Sequence, residues 1–439
     1  MQNKYILNIV IANLLWSFIP VVVTELYTEI SIIMIIYLRF LVSGVILFIL
    51  AILISFINNM FTQNEKISIR LLFRNVLRRN RRFYRIKNIY YYSLLGAIGI
   101  ILHVIFFYLT MKTTSIIFTM SGFLLSIIFI SFYEQETKSE KLDIFKTIYL
   151  ILMIFTIGLL IYVAALGANL NGQDLPIGGF IYLLIFSITI SFLYISLDRD
   201  AYSKIEINSI NLNKYYRIPR LLLKMSFSFI LGLLFILPFL IIISLIPIDT
   251  DLTFESRLFF IQMASIFQIL ARWEILYLIV FATIIPYLLV YTANVSWKTI
   301  SLTFSQWSSI LNLIDPMGSL VFAVVLVSEY FPIELLIIVI FVLILSIILR
   351  YAHEVKNLVR ASILLTLKKG TINTLPLKIL KYYGVISIDA LAGTHDLLLN
   401  IKTNSIKEFY YLINERLRKL NEIKNISILF INNIESFER

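Results

Sequence analysis

From about residue 5 to about residue 351 the chain is a succession of ten apolar runs of roughly 18 to 27 residues, the length of helix that crosses about 30 Å of hydrocarbon. The runs are continuously apolar rather than alternating, so helices are predicted and a strand barrel is not. With 59% hydrophobic and only 15% charged residues, the chain has too little polar surface for one water-soluble core, which carries about 25% charged residues. Lipid is the expected solvent. The spans fall at about 5–24, 31–57, 89–109, 114–133, 145–166, 176–197, 225–247, 275–297, 300–327 and 332–351. The first is too long for a signal-peptide core and has no small-residue cleavage pattern after it, so it is expected to stay as a span. The chain contains no cysteine, which removes disulfides and thiolate metal sites.

The net charge of +12 is local. Lys66, Arg70, Arg74, Arg78, Arg79, Arg81, Arg82, Arg85 and Lys87 crowd one connection, where they are expected to attract anionic lipid headgroups rather than nucleic acid. Alternate connections hold about 20 Lys and Arg on the side of the N-terminus and about three on the other, which predicts both termini cytoplasmic. That the multi-pass protein sits in a cell membrane is expected only from the pairing of its spans with the kind of domain that follows them. Between Ser256 and Trp273, Phe259, Met263, Ile266, Phe267 and Leu270 share a helical face, and an interfacial helix that does not cross is expected there.

The spans divide into two halves of five with shared punctuation. Spans three and eight end in Lys-Thr-x-Ser, at Lys112–Ser115 and Lys298–Ser301, and each leads into an apolar helix closed by a glutamate, Glu134 or Glu329. Five is odd, so two halves of one design lie in opposite orientations, an inverted repeat. Asn13-Leu-Leu-Trp16 with Pro20, Leu38-Arg39-Phe40, and a ninth span with Asp315-Pro316 and Ser328-Glu329 complete a pattern that resembles the EamA-type domains of the drug/metabolite transporter superfamily. The resemblance covers most of residues 5–351, as repeats 1–170 and 171–352. It implies a transporter of small organic metabolites.

Polar groups inside hydrocarbon cost about 2.5 to 3.5 kcal/mol or more near mid-span, so each needs a partner, a cavity or an escape to the headgroups. Span nine carries Gln306, Asn312 and Asp315 with Pro316, whose missing N–H frees a carbonyl; this is the leading substrate site, against a reading in which Asp315 is merely paired and the proline a kink. His103 in span three is either a proton exchanger or a hydrogen-bonded structural residue. Arg39 in span two either clamps an anion, snorkels to the headgroups or meets a structural partner. Tyr291 and Asn294 share a face of span eight, Trp16 lies in span one, and Trp297 is expected as an interfacial anchor. Neither a phosphate loop, a metal-ligand cluster nor a nucleophile elbow is apparent, so no enzyme, metal or cofactor is expected.

The last 80 or so residues read differently. Strand Ala361–Leu367, helix Thr371–Tyr382, strand Val385–Leu391, strand Asp396–Lys402, helix Ser405–Leu420 and strand Ile426–Ile431 give the order βαββαβ of a ferredoxin-like α+β domain, residues 360–439. With Tyr383-Gly384-Val385 and Gly393-Thr-His-Asp396 it resembles the effector-binding domain of Lrp/AsnC-type regulators. That resemblance implies a homodimer and a small-molecule effector near Gly393 and Asp396. A plain hairpin turn explains the same two residues. The expected protein is an all-α polytopic bundle of ten helices with this tail, a secondary transporter; the rival is a membrane-anchored receptor or scaffold that moves nothing.

Overall fold

In a computed structural model, residues 2–61, 69–77, 88–138, 143–170, 172, 174–198, 217–296, 302, 304–356, 359–368, 375–380, 382, 384–403 and 406–430 are described. Trp297, the Lys298–Ser301 tetrad, Tyr383 and, of the basic cluster, Lys66, Arg78, Arg79, Arg81, Arg82, Arg85 and Lys87 lie outside them.

Among the described residues, ten helices are long and apolar enough to cross a membrane: span 1 Lys4–Leu26, span 2 Ile32–Met60, span 3 Ile89–Thr113, span 4 Ile116–Gln135, span 5 Ile144–Leu170, span 6 Ile177–Ser196, span 7 Ile218–Leu245, span 8 Trp273–Asn294, span 9 Gln306–Val325 and span 10 Ile333–Val355. This is the build of a multi-pass membrane protein. The chain forms two compact units, one of Met1–Ile130, Ile151–Ser296 and Leu311–Leu345, the other of Ser131–Leu150, Trp297–Ile310 and Ser346–Arg439.

Within the first unit the spans pair in a definite pattern. Span 1 packs on spans 8 and 9, span 3 on span 6, and span 7 on spans 2 and 3. Small residues permit the closest approaches. A Cβ at Gly96 of span 3 would lie 1.8 Å from the Ser228 carbonyl oxygen, and one at Gly232 of span 7 only 2.5 Å from the carbonyl carbon of Gly96. Ser187 and Ser191 of span 6 donate to the Gly122 and Ser126 carbonyls of span 4 at 2.9 and 3.1 Å, and Ser319 of span 9 donates to the Ser17 carbonyl of span 1 at 3.2 Å. Such hydroxyl-to-backbone bonds join helices where lipid offers no hydrophobic drive to do so.

Several spans are interrupted. Span 1 breaks at Phe18, just before Pro20; span 9 breaks between Phe304–Leu311 and Ile314–Val325; spans 3 and 8 contain π-helical stretches, Leu95–Leu102 and Val280–Ile284. The segment after span 7 differs from a continuous interfacial helix. It is a helix Asp251–Gln262, a 3-10 turn Met263–Ser265 and a short helix Ile266–Leu270. The turn rotates the expected apolar face apart, leaving Phe259 buried and Phe267 83% exposed. Its polar side chains are structural: Glu255 accepts from Ile32 N at 2.7 Å and pairs with Lys112 at 2.5 Å, while Gln262 accepts from Ser31 N at 2.8 Å. The N–H groups of Ser31 and Ile32, where span 2 begins, are therefore satisfied from far along the chain, while Ile33 N donates to the Ser31 hydroxyl.

In the second unit, β1 (Val359–Leu367), β2 (Val385–Ala390), β3 (Leu397–Thr403) and β4 (Ile423–Phe430) form an antiparallel sheet in the order β2-β3-β1-β4. Ile363 stands opposite Leu399 of β3 and Ile428 of β4. Alternation buries Ala361, Ile363, Leu365, Leu397, Leu399 and Ile401 on one face, under Leu375, Ile379, Phe409, Leu412 and Leu417. On the other face Ser362, Asn400 and Ser387 form a hydrogen-bonded row across β1, β3 and β2. Strand β4 begins three residues earlier than its alternation predicts, because a register shift between Thr366 and Leu367 lets Asn425 and Ile423 keep pairing.

Candidate functional site

The interruption of span 8 organises the first unit's polar groups. Pro286 has no N–H to give the carbonyl four residues back, which belongs to Ala282 in the π-helical stretch. That carbonyl is used by other helices: Arg39 Nη2 of span 2 donates to it at 2.8 Å and Trp16 Nε1 of span 1 at 3.2 Å. Arg39 Nε donates to Thr283 Oγ1 at 2.6 Å and Nη1 to Tyr108 Oη at 2.7 Å. Arg39 is 3% exposed, so its guanidinium turns into the bundle and does not snorkel. All three acceptors are neutral, and among the described residues no carboxylate pairs with it.

Span 9 supplies the opposite charge. Asn312 falls in the break and Asp315 in the first turn of the second half-helix, where the helix dipole favours an anion. Pro316 releases the Asn312 carbonyl as Pro286 releases that of Ala282, and Pro20 stands in the same relation to Trp16. Asp315 is 4% exposed, and among the described residues its one hydrogen-bond donor is the Ser319 hydroxyl at 3.3 Å. That hydroxyl has a single proton and also faces the Ser17 carbonyl, so the carboxylate shares even this bond. Tyr194 of span 6 stands within electrostatic reach of Asp315 and of Tyr287 of span 8. Tyr287 meets Trp16 edge-on at 5.5 Å and Phe229 at 5.3 Å, an aromatic cluster joining spans 1, 7 and 8. Asn13 donates to Ile9 O at 2.9 Å, and its buried Oδ1 has no hydrogen-bond partner.

Trp16, Arg39, Asn312 and Asp315 are thus all buried or half-buried polar groups of one compact unit, the first two meeting at one carbonyl. His103 is buried beside the π-helical stretch of span 3, with Nδ1 2.5 Å from Gly99 O. A carbonyl only accepts, so Nδ1 carries the proton and Nε2 is the nitrogen left for exchange. Tyr291 is buried and Asn294 half-buried on span 8. Gln306 belongs elsewhere. It lies in the second unit, and its amide donates to Glu354 Oε2 at 2.6 Å.

At the far end of span 9, Ser328 adopts φ +60°, an unusual conformation for a residue with a Cβ. The turn aims Glu329 at the start of span 4, where its carboxylate accepts from Ile116 N at 2.8 Å and Ile117 N at 3.1 Å. Burial raises the Glu329 carboxyl above its ordinary range, and the two N–H bonds oppose that shift. In the tail, Gly393 is exposed with φ +152°, and Asp396 is built into the sheet, accepting from Leu367 N at 2.6 Å and donating its own N–H to Leu365 O at 2.9 Å.

The second unit holds a polar group that span-end reasoning treats only as boundary. Arg350 near the end of span 10 pairs with Glu134 of span 4 at 2.5 Å and with Glu354, one turn along its own helix, at 2.7 Å, and stands 5.9 Å from the Tyr149 ring. Arg350, Glu134 and Glu354 are each buried to within a few per cent. His353 Nδ1 lies 2.8 Å from Asp143. The sequence signal for this group is a glutamate and an arginine placed just inside the last turn of two apolar runs, where a lipid-facing charge has no reason to stay.

The fold and these residues define a multi-pass membrane protein with polar and charged side chains buried among its spans and an α+β tail. No protein-family model matches the chain, and no curated protein matches it either.

Proposed function

We propose that the protein is a secondary transporter of small organic metabolites bearing opposite charges, such as amino acids or their derivatives, working by alternating access between two inverted five-helix repeats. The observation that carries this is the pair Arg39 and Asp315: two buried, opposite charges in one unit, neither with a counter-ion among the described residues. A buried charge left unpaired is costly, and a zwitterionic solute supplies both partners at once. Its carboxylate suits the guanidinium and its ammonium suits Asp315, with the Asn13 Oδ1 and the Asn312 carbonyl as further acceptors. The ring edges of Trp16 and Tyr287 suit an apolar body between the two poles.

The repeat is supported by the helix pairing. Advancing each span number by five, cyclically, converts the contact of spans 1 and 8 into that of 6 and 3, the contact of 1 and 9 into that of 6 and 4, and the contact of 2 and 7 into itself. The π-helical stretches fall in spans 3 and 8, which are counterparts on the same rule. An EamA-type identity for this part fits that arrangement. For the tail, the sheet order with helices after β1 and β3 supports the ferredoxin-like reading, and with it a dimerising, effector-sensing domain of the Lrp/AsnC type on the cytoplasmic side. On that side the helix Ile69–Val76 buries Leu72 and Val76, packs Phe73 on Phe48 and Phe227, and leaves Arg70 exposed to anionic headgroups.

Flux of radiolabelled amino acids into liposomes containing the full chain tests the reading. Saturable uptake that Asp315→Asn and Arg39→Lys each reduce about tenfold or more is expected. Absence of uptake for every zwitterion tried, by a chain that still binds effector through its tail, identifies a receptor instead.

A further inference from the structure

The buried ion group of the second unit has an asymmetry that a purely structural salt bridge does not need. Arg350 is shared between two carboxylates of different kinds. Glu354 stands four residues along the same helix, so that pair moves with span 10 as a body. Glu134 stands on span 4, so that pair joins two helices. A second link between helices is the Gln306 amide of span 9 on Glu354 Oε2, at 2.6 Å. Around them, Arg350 Nε, Trp307 Nε1, Gln135 Oε1 and Ser131 Oγ are buried without hydrogen-bond partners among the described residues. Protein partners thus leave part of this group's hydrogen-bonding capacity open, a capacity that buried polar atoms in native proteins nearly always use, with protein or with water.

We propose that Arg350 is the cation of a two-position latch that holds the ends of spans 4, 9 and 10 together and releases them during transport. The latch rests on the alternating-access reading, of which it is the tail-side gate. Separating span 10 from span 4 breaks Arg350–Glu134 but leaves Arg350–Glu354 intact. The guanidinium is therefore never left without a carboxylate, and opening avoids the large penalty of an unpaired buried charge. The parting Glu134 gains water as its end of the bundle opens. A lone cross-helix pair makes opening expensive; a cation with a resident carboxylate on its own helix makes both positions accessible. The unpartnered atoms around it are groups that water satisfies once the end is open.

The same helix continues to Lys356, and β1 starts at Val359. His353, on the turn between Arg350 and the tail, is tied to Asp143 by its ring nitrogen. Arg350 is thus three turns or fewer from the tail, and displacement of the tail pulls on the latch directly.

The prediction that separates a latch from a structural salt bridge is one of sign. Glu134→Gln removes the cross-helix partner and favours the open position. Glu354→Gln keeps an oxygen for the Gln306 amide but removes the resident carboxylate, so opening strands the guanidinium and the closed position is favoured. The chain has no cysteine, so Ser131→Cys, one turn before Glu134 and 2% exposed, provides a single reporter thiol. Its reaction rate with a charged, membrane-impermeant thiol reagent is measured on the purified full chain. Relative to the reporter alone, Glu134→Gln is expected to raise the rate about tenfold and Glu354→Gln to lower it about tenfold, each a shift of one decade in the opening equilibrium. Should Glu134→Gln fail to fold, Gln306→Met loosens the other link and is expected to raise the rate in its place. Both carboxylate variants moving the rate in one direction, or neither moving it, overturns the latch. The readout needs no solute, so an unchanged rate in a chain that transports leaves the transporter standing. Opposed shifts in a chain without flux remove the transporter and leave the switch.

Discussion

Arg39 shows what one residue's surroundings decide. Its depth in span 2 is readable from the sequence, but its direction is not, because its acceptors Thr283 and Ala282 lie more than 240 positions away. The signal that was available is Pro286, since a proline in mid-span announces a carbonyl in need of a donor. The Asp315-Pro316 pair is legible for the same reason, whereas the satisfied state of Asp396 is not, since a Gly-x-x-Asp turn looks alike whether its carboxylate holds a ligand or the Leu367 N–H. Glu329 gives a prediction at this scale. Burial raises its carboxyl, so its contribution to stability is fully present below the ordinary value of 4.5 and is lost as pH rises through the folded-state value. Glu329→Gln, which carries no titrating group, is expected to flatten the dependence of the apparent Tm on pH above 4.5. Glu329→Ala leaves both N–H groups of span 4 without an acceptor and is expected to cost about 1 to 2 kcal/mol. Thermal unfolding in detergent across a pH series measures both; an unaltered slope in the glutamine variant counts against the assignment.

Among the elements, the ten spans were legible because length and continuous apolarity suffice to define a helix in lipid. Their interruptions were only half legible. Prolines mark the breaks in spans 1 and 9 and stand two residues after the π-helical stretch Val280–Ile284 of span 8, but no proline announces the stretch Leu95–Leu102 in span 3. The apolar face expected after Ser256 failed likewise, because Glu255 and Gln262 are recruited to cap span 2 and a 3-10 turn follows. Two glycines of similar sequence context separate packing from propensity. Gly96→Ala drives a methyl group into the Ser228 carbonyl and is expected to destabilise by about 1 to 3 kcal/mol. Gly158→Ala in span 5 meets nothing within 4 Å and is expected to be neutral, or stabilising by up to about 1 kcal/mol. In the tail, Gly384 has φ +91° and its Cβ would lie 2.9 Å from Thr403 Cγ2, so Gly384→Ala is expected to loosen the sheet by more than about 1 kcal/mol. Melting of the three variants side by side decides whether backbone proximity or helix preference governs these positions.

At the level of the whole molecule, the partition into spans and an α+β tail is what sequence reads best, and the mutual arrangement of the spans what it reads least. The pairing of span 1 with span 8, or span 3 with span 6, depends on side chains such as Ser187 and Ser319 finding carbonyls far along the chain. If the basic connections face the cytoplasm, a tag at the C-terminus of the intact chain is expected to resist protease added outside cells and to be cleaved in inverted vesicles; cleavage in intact cells reverses the assigned orientation. The crossing of Gly96 and Gly232 bears on how such a bundle moves. Two backbones in direct touch have no intervening side chains to ratchet past one another, so tilting about that point disturbs little, while sliding along it meets the flanking residues at once. Spans 3 and 7 are accordingly expected to pivot at this contact if the bundle moves, with larger excursions at the helix tips than at this waist.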